Sequence, residues 1–423
     1  MSTANPTAVS YAGQFSNQTL PIVAFASALR AYTLKMGITR WCAVKDAGGV
    51  SGPGAQVPIP FVGRIGNQDI SPGQTVGAVT ALANNTRYLV LNKWRESKPF
   101  ALTGLELDNF QLNTLVPRAL QRAVQSVGEY VETQVVANAY AFPAIYGTAS
   151  TTSQFASNLN AIPALRGAMS LNLCPNTEDV ALFLRSSDIT AMRQTDAFQK
   201  NPQLAGLARA EAQYGKAIIG EFGSMKVFEN QFITSRLPGT YTSSVLTMGV
   251  AGAIGDLSLT IAATTASSTV KKGDAFKAPS SEAPEGYVFF AAAEDKTLTA
   301  GASTAMKITQ PLEFAITIGA AVTPLTTDTL GVSSYENLAI TPDALLIGNR
   351  FLRCGDLAEK TGCAWDIMDD SDPERDYIGT GLGFTLKNFA TQYQSSWHVS
   401  CYFDTTWLDT RLGGRLQSGG VAI

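Results

Sequence analysis

The chain has 423 residues, of which 45% are hydrophobic, and this is enough to form the cores of two or three domains. Only 15% of the residues are charged, well below the roughly 25% that is usual in soluble proteins, which predicts a surface largely covered by neighbouring subunits. The net charge of -3 and the lack of a basic stripe exclude a general nucleic-acid binder, because phosphate affinity depends on clustered Lys and Arg.

Residues 1–40 are predicted to form an arm followed by a helix. The opening stretch is polar and lacks the basic region of a secretory signal, and the apolar run at residues 20–29 is shorter than the roughly 20 residues that span a bilayer. We therefore expect a cytosolic origin and no membrane segment. Ile22, Ala26 and Leu29 lie at helical spacing, which predicts an amphipathic helix after an arm of about 20 residues.

Residues 41–104 have the pattern of an extended excursion. Four closely spaced glycines interrupt it, and the alternating stretches at residues 57–62 and 88–91 predict two strand arms. A two-stranded loop has little core of its own and is marginal in isolation. We therefore expect this loop to lie on a neighbouring subunit.

Residues 105–141 carry the strongest helical signal in the chain. Pro117 suits a first helical turn, where its missing N–H has no partner to lose, and apolar residues then recur every three or four positions. A helix over residues 117–141 would be about 37 Å long. The charged residues predicted for its polar face are Arg118, Arg122, Glu129 and Glu132.

In residues 142–237 strands and helices alternate without a repeat, which favours an α+β fold. The predicted elements are helices at residues 153–170 and 187–195, a buried strand at 180–184 and a strand pair at 217–233. Ser186 or Ser187 is the predicted cap of the second helix.

The pattern changes near Pro238. Over residues 238–332 the helical period disappears, and short alternating runs are separated by turn signals such as residues 271–274. This predicts a small antiparallel β barrel or sandwich. The mixed pattern resumes over residues 333–380, so we expect the β unit to be inserted into a host domain, at an exposed site where the two chain ends lie close together.

Several of these segments, in this order, resemble the major capsid (coat) proteins of tailed bacteriophages. Residues 88–107 and the long helix are similar to the extended loop and spine helix of that family. Residues 270–276 and 307–312 are similar to the β domain inserted in coat proteins of short-tailed phages. Residues 381–423 resemble the peripheral-domain strands that end such proteins, although residues 412–420 depart from the family pattern.

The resemblance implies the Hong Kong ninety-seven-like fold, with an N-terminal arm, an extended loop, a peripheral domain containing the spine helix, and an axial domain. Residues 142–237 and 333–380 would be the two parts of the axial domain. The family forms pentamers and hexamers that close into an icosahedral virion shell in the host cytoplasm, around double-stranded DNA that is contained without being read. Implied partners are a scaffolding protein, a portal and a decoration protein, with no cofactor and no membrane.

On this interpretation the loop and the long helix hold the residues that contact neighbouring subunits. These are Phe61, Arg64, Trp94, Arg95, Lys98, Arg118, Arg122, Glu129 and Glu132. Some family members crosslink their shells by a Lys-Asn isopeptide bond, and Lys93 or Lys98 could supply the lysine. Nothing in the sequence identifies the matching Asn and carboxylate, so we predict no crosslink.

The sequence offers little for catalysis or metal binding. His398 is the only histidine and lies in an alternating run, which favours a strand face over a catalytic pair. The five cysteines are scattered and odd in number, which predicts free, buried thiols in a reducing compartment.

The acidic run at residues 366–376 is the best candidate for a cation site, with Asp369, Asp370 and Asp372 at its centre, because hard cations bind carboxylate oxygens. Its spacing is not that of an EF-hand, so a solvated loop is favoured, and a contact with arginines of a neighbour is a third possibility. We predict no metal and no enzymatic activity. The alternatives are a bacterial surface or fibre protein that binds a glycan through the β unit, and a hydrolase that uses the acidic run.

Overall fold

The computed structural model describes residues 37–46, 56–62, 84–91, 93–103, 115–147, 153–156, 159–175, 179–195, 218–222, 224–241, 245–264, 267–325, 333–349, 364–367, 384–390 and 394–419. Within these residues the chain is mixed α+β, as the sequence predicts, and its strands form two seven-stranded sheets, one six-stranded sheet and two strand pairs. The predicted amphipathic helix after the N-terminal arm lies outside the described residues.

The first sheet is organised around one long strand, β23 (Gln394–Trp407). Its antiparallel partners are β4 (Lys93–Glu96), β5 (Phe100–Thr103), β20 (Leu345–Asn349) and β22 (Phe384–Ala390). The edges are β1 (Ala43–Asp46), which is parallel to β20, and β21 (Ala364–Ile367). Three strands from the predicted excursion therefore belong to this sheet, because they pair with the C-terminal part of the chain.

The rest of the excursion is a hairpin of β2 (Gln56–Val62) and β3 (Asn84–Val90), paired from Gln56 opposite Val90 to Val62 opposite Asn84. The long helix α1 (Leu115–Ala137) follows and ends in a 3-10 turn at Asn138–Ala141, so the predicted helix is confirmed, with its start two residues earlier. Its apolar stripe, which includes Leu120, Val124, Val127, Val131 and Val135, is buried against both seven-stranded sheets.

The second sheet has the strand order β6-β24-β19-β7-β9-β8, with β10 paired to β19. Its strands are β6 (Ala144–Tyr146), β7 (Val180–Leu184), β8 (Ile218–Phe222), β9 (Met225–Glu229), β10 (Ser235–Arg236), β19 (Ser334–Ile340) and β24 (Gly413–Ser418). The loosely matching C-terminal stretch thus forms a central strand, β24. A Cβ on Gly413 would lie 2.4 Å from Phe142 Cε1, so the glycine is required for this packing.

Two helices accompany this sheet, α2 (Ala161–Leu171) and α3 (Ser186–Gln194). The prediction that the first begins at residue 153 is wrong, because Ser153 lies in a turn where its hydroxyl donates to buried Asp188. The predicted cap of α3 is also wrong. Arg185 occupies the N-cap position, and its backbone N–H donates to Asn337 Oδ1 at 2.9 Å.

Residues 245–325 form the third sheet, which we call the β unit. It is antiparallel, in the order β15-β14-β18-β11-β12-β17, and a single bridge between Ala292 and Ile308 joins its two edges. The strands are β11 (Leu246–Met248), β12 (Ser258–Ala263), β13 (Ser268–Val270), β14 (Ala275–Pro279), β15 (Tyr287–Ala291), β16 (Lys296–Leu298), β17 (Ser303–Lys307) and β18 (Ala321–Pro324), of which β13 and β16 pair separately. The unit has an apolar core of its own around Phe276 and Phe290.

The β unit leaves and re-enters the second sheet at neighbouring points. β10 precedes the unit and β19 follows it, and they pair with Ser235 opposite Tyr335 and Arg236 opposite Ser334. The segment predicted as the second part of one domain, residues 333–380, contributes β19 to the second sheet and β20 to the first. It therefore connects the two sheets.

Candidate subunit-contact surface and buried charge junction

Among the described residues, one face of the hairpin β2–β3 packs against its own subunit. Val57, Ile59 and Leu89 are buried against Leu346 and Tyr402 of the first sheet. This approach requires a glycine in β20, since a Cβ on residue 348 would lie 2.0 Å from the Leu89 side chain. On the opposite face Tyr88, which pairs with Pro58, is 54% exposed.

A second exposed aromatic residue lies in β4. Trp94 is 49% exposed, meets the ring of Tyr402 edge-on at 6.2 Å, and donates its indole N–H to Glu96 at 2.9 Å. Arg95 places its guanidinium 4.5 Å from the ring centre of Tyr130 in α1. Trp94 is thus held by its own subunit, while both Trp94 and Tyr88 are about half exposed to solvent.

The other predicted contact residues have different environments. Lys98, Arg118 and Arg122 are exposed, and Glu129 is half-buried and accepts a hydrogen bond from Gln125. Arg64 and the side chain of Phe61 lie outside the described residues. Lys93, one of the two possible crosslinking lysines, forms a 3.1 Å ion pair with Asp404 of its own chain.

Glu132, which the sequence places on the polar face of α1, is instead only 3% exposed. Its carboxylate accepts hydrogen bonds from the backbone N–H groups of Gly37, Ile38 and Thr39 at 3.1–3.4 Å, and from Asn230 Nδ2 at 3.2 Å. Helical spacing alone cannot show that another segment covers this part of the helix. Glu132 therefore holds residues 37–39 against α1.

The strongest polar cluster, which the sequence did not indicate, joins the β unit to the second sheet. We call it the buried junction, and it consists of Arg236 in β10, Asp274 beside β14, Glu336 in β19 and Arg415 in β24. Arg236 bonds Glu336 and Asp274 at 2.7 Å each, and Arg415 bonds the other Glu336 oxygen at 2.9 Å. Two cations and two anions thus neutralise one another.

Backbone groups complete the junction. Arg415 is 0% exposed and also donates to the carbonyls of Phe142 at 2.8 Å and Gly273 at 2.6 Å. Burial alone raises the pKa of Glu336, but the charges of Arg415 and Arg236 outweigh it and lower that pKa to about 2. Glu336 is therefore ionised at neutral pH.

The histidine and the free cysteines of the described residues have different environments. His398 is buried in β23, with Nε2 3.8 Å from a Glu96 carboxylate oxygen. Cys42, Cys174 and Cys401 are free thiols, and burial raises the pKa of Cys401 to about 12. No group of three His, Cys, Asp or Glu side chains in the described ranges could hold a metal ion. Asp369, Asp370, Asp372 and the remaining two cysteines lie outside those ranges.

Across the described ranges, none of the helices has both the length and the apolar character needed to cross a membrane.

Comparison with known proteins gives matches in structure alone. No family model and no curated protein matches the sequence. The capsid structure of cyanophage P-SCSP1u shares 10% identity and a TM-score of 0.44, over 89% of this chain and 86% of that one. The mature capsid of bacteriophage PhiM1 shares 8% identity and a TM-score of 0.41, over 89% and 85%. A virus-like particle from Pyrococcus furiosus shares 8% identity and a TM-score of 0.39, over 93% and 96%.

Proposed function

We propose that this chain is a major capsid protein, a structural subunit that assembles with copies of itself and catalyses no reaction. The observation that carries the proposal is the hairpin β2–β3, which has two strands and is covered by its own subunit on one face. Two aromatic residues, Tyr88 in this hairpin and Trp94 in β4, are about half exposed. A strand pair of this kind gains stability when a second copy covers its open face and edges.

The form of the assembly follows from the kind of contact. A hairpin of one copy that lies on a different surface of the next makes a heterologous contact, and such contacts close into rings when the rotation allows it. We propose pentamers and hexamers that close into an icosahedral virion shell in the host cytoplasm. The exposed Arg95, Lys98, Arg118 and Arg122 would form the polar rim of the contact.

We also propose that the β unit is an inserted domain carried by an axial domain around the second sheet. The pairing of β10 with β19 supports this, because both ends of the unit meet on adjacent strands. The proposed contents are double-stranded DNA held without sequence-specific contacts, in keeping with the net charge of -3. A scaffolding protein, a portal and a decoration protein are proposed partners.

Electron microscopy tests the proposal. The chain is expressed alone and together with the neighbouring open reading frames of its source genome, and both preparations are imaged in negative stain. Closed shells or rings of five or six subunits are expected. Dispersed monomers in both preparations would refute the capsid function and favour a surface protein or an enzyme.

A pair of variants tests the contact surface itself. Replacing Tyr88 and Trp94 together by Ser should leave the subunit folded, since much of each ring is exposed, but should prevent particle formation. The control is Ile318→Ser, which removes an apolar side chain that is 67% exposed from the β unit. Assembly of the double variant at the control's yield would show that the hairpin face is not a subunit contact.

A further inference from the structure

The cleft between the β unit and α2 has an open strand edge on one side. Tyr287 to Phe290 of β15 line it, and residues 310–314 and the C-terminal end of α2 form the other walls. Within the described residues β15 has a single ladder partner, β14. The opposite edge of β15 therefore faces the cleft.

The direction of the backbone groups follows from the ladder. Ala292 N–H donates to Asp274 C=O in the strand leading into β14, whereas Ala291 C=O accepts from Thr309 N–H on the other side, at 2.9 and 3.0 Å. Hydrogen-bonding direction alternates along an antiparallel strand. The N–H and C=O of Phe289, two residues from Ala291, therefore point away from β14 and into the cleft.

Beyond the bridge at Ala292 and Ile308, the neighbouring segment turns away from β15. Pro311 has no N–H to donate, and Leu312 N–H donates to Asp256 C=O instead. The gap beside β15 therefore lies where the next strand of the sheet would be. An extended chain segment placed there would become the next strand.

A buried polar atom in the same cleft supports a peptide occupant. Asn172 lines the cleft and is 7% exposed, and its Nδ2 has no hydrogen-bond partner in the described part of the chain. A buried amide N–H without a partner costs free energy, so it requires an acceptor. A backbone carbonyl of an added strand would supply one.

The charges in the cleft argue against an acidic occupant. Arg411 is paired with Asp409 at 2.7 Å and with Glu313 at 3.1 Å, so one cation lies between two carboxylates and the formal net charge is -1. The first 29 residues of the chain contain no Asp, Glu, Lys or Arg. Within them, residues 7–12 (Thr-Ala-Val-Ser-Tyr-Ala) alternate β-favouring and small side chains, the pattern of a strand with one packed face.

We propose that residues 7–12 of a second copy add to β15 as a strand. With the predicted helix after residue 20 in place and the remaining residues extended, the arm between residue 12 and Gly37 can span about 55 Å, which is long enough to reach a neighbouring subunit. This inference rests on the proposed assembly, because the second copy is the neighbour in the shell. The arm of one subunit would thus fasten the β unit of the next.

Photo-crosslinking in assembled particles tests the source of the occupant. A benzoylphenylalanine replaces Tyr287 in full-length chains, and isotopically heavy and light chains are mixed before assembly. Crosslinks from position 287 to residues 7–12 of a chain with the other label are expected. The same probe at exposed Ile318, elsewhere on the β unit, should not label that segment. Crosslinks only within one chain, only to another protein, or to no protein would overturn the proposal.

Two variants of Phe289 test the backbone pairing. Phe289→Pro removes the N–H that points into the cleft and spares the hydrogen bonds to β14, whereas Phe289→Ala keeps that N–H. Loss of one hydrogen bond should lower the crosslink yield about fivefold in the proline variant relative to the alanine variant. Equal yields would refute strand addition.

A peptide experiment tests the strand site separately from the assembly proposal. If no shells form, the probe-bearing full-length chain is illuminated with a synthetic peptide of residues 5–14. Labelling of the peptide would support the strand site on its own. Shells that form without the crosslink, or a peptide that is not labelled, would refute the strand site.

Discussion

Arg415→Met is the change that tests the buried junction most directly. Methionine has a similar length but no charge, so Glu336 would keep Arg236 as its only cation in the junction, and the carbonyls of Phe142 and Gly273 would each lose a donor. Removing one member of a buried ion pair typically costs about 3–5 kcal/mol. We expect a loss of that size in the free energy of unfolding of the unassembled subunit.

A double-mutant cycle separates the ion pair from the packing. Glu336→Gln alone should also destabilise, because glutamine keeps one acceptor oxygen, so one of the two guanidinium groups would face an NH2 group and both would lose the carboxylate charge. The double variant Arg415→Met with Glu336→Gln should lose less than the sum of the single variants, by about 1–3 kcal/mol, since the residues are in contact.

The assay is urea unfolding followed by tryptophan fluorescence. The matched control is Arg118→Met, which removes an exposed arginine and should change stability by less than about 0.5 kcal/mol. A loss below about 1 kcal/mol for Arg415→Met, or strict additivity in the cycle, would refute the view that the junction charges stabilise one another.

Three further predictions concern single features of the subunit. Glu336 has a pKa lowered from 4.5 to about 2, so its contribution to stability is present above pH 4.5 and is lost as the pH falls towards 2. The free energy of unfolding, measured across that range, should fall by about 3 kcal/mol. The variant Glu336→Gln should not show this fall. Glu132→Ala should speed hydrogen exchange at the three backbone amides that its carboxylate holds, by about tenfold or more, and unchanged exchange would exclude this anchor. Gly413→Ala should destabilise by more than about 2 kcal/mol, because its Cβ would meet Phe142, whereas Gly167→Ala in α2, with open space around it, should stabilise by about 0.5–1 kcal/mol. Melting temperatures that shift in the same direction for both glycine variants would contradict the packing argument.

The elements that the sequence predicts well are those specified by local pattern. The long helix was found within two residues of its start, because its apolar residues recur over six turns. In the β unit, the turn predicted at residues 271–274 contains Gly273, whose backbone φ is +90°. These features depend on residues that are close together in the sequence, so the sequence pattern alone predicts them.

The features that the sequence missed depend on contacts between distant segments. Arg236, Asp274, Glu336 and Arg415 come from four separate strands or turns, and no spacing rule connects them. For the same reason Glu132 looked like a surface residue, since its partners lie more than 90 positions away. The one local signal was the pair Gly413-Gly414 before Arg415. It indicates that another part of the chain packs closely there, but it does not indicate which part.

The buried junction and the proposed contact surface differ in how strictly they fix the orientation of the groups that they join. The junction fixes one orientation of the β unit, because Arg236 binds two different carboxylates through a rigid guanidinium fork, at 2.7 Å each. The contact proposed for Tyr88 and Trp94 depends on burial of apolar surface, which is non-directional. If one kind of subunit forms both the proposed rings of five and the proposed rings of six, its contacts with neighbours must vary in geometry. The buried junction would keep the β unit in one orientation in both kinds of ring.

Arg236→Lys should therefore loosen the orientation of the β unit while keeping its charge. Particles should still assemble, but with a wider distribution of diameters in negative-stain images, because subunits with variable β-unit angles close at different curvatures. The control is Lys226→Arg, a change of the same kind in a largely exposed ion pair with Asp179. A diameter distribution equal to that of the control would show that the junction stabilises the subunit without setting its curvature.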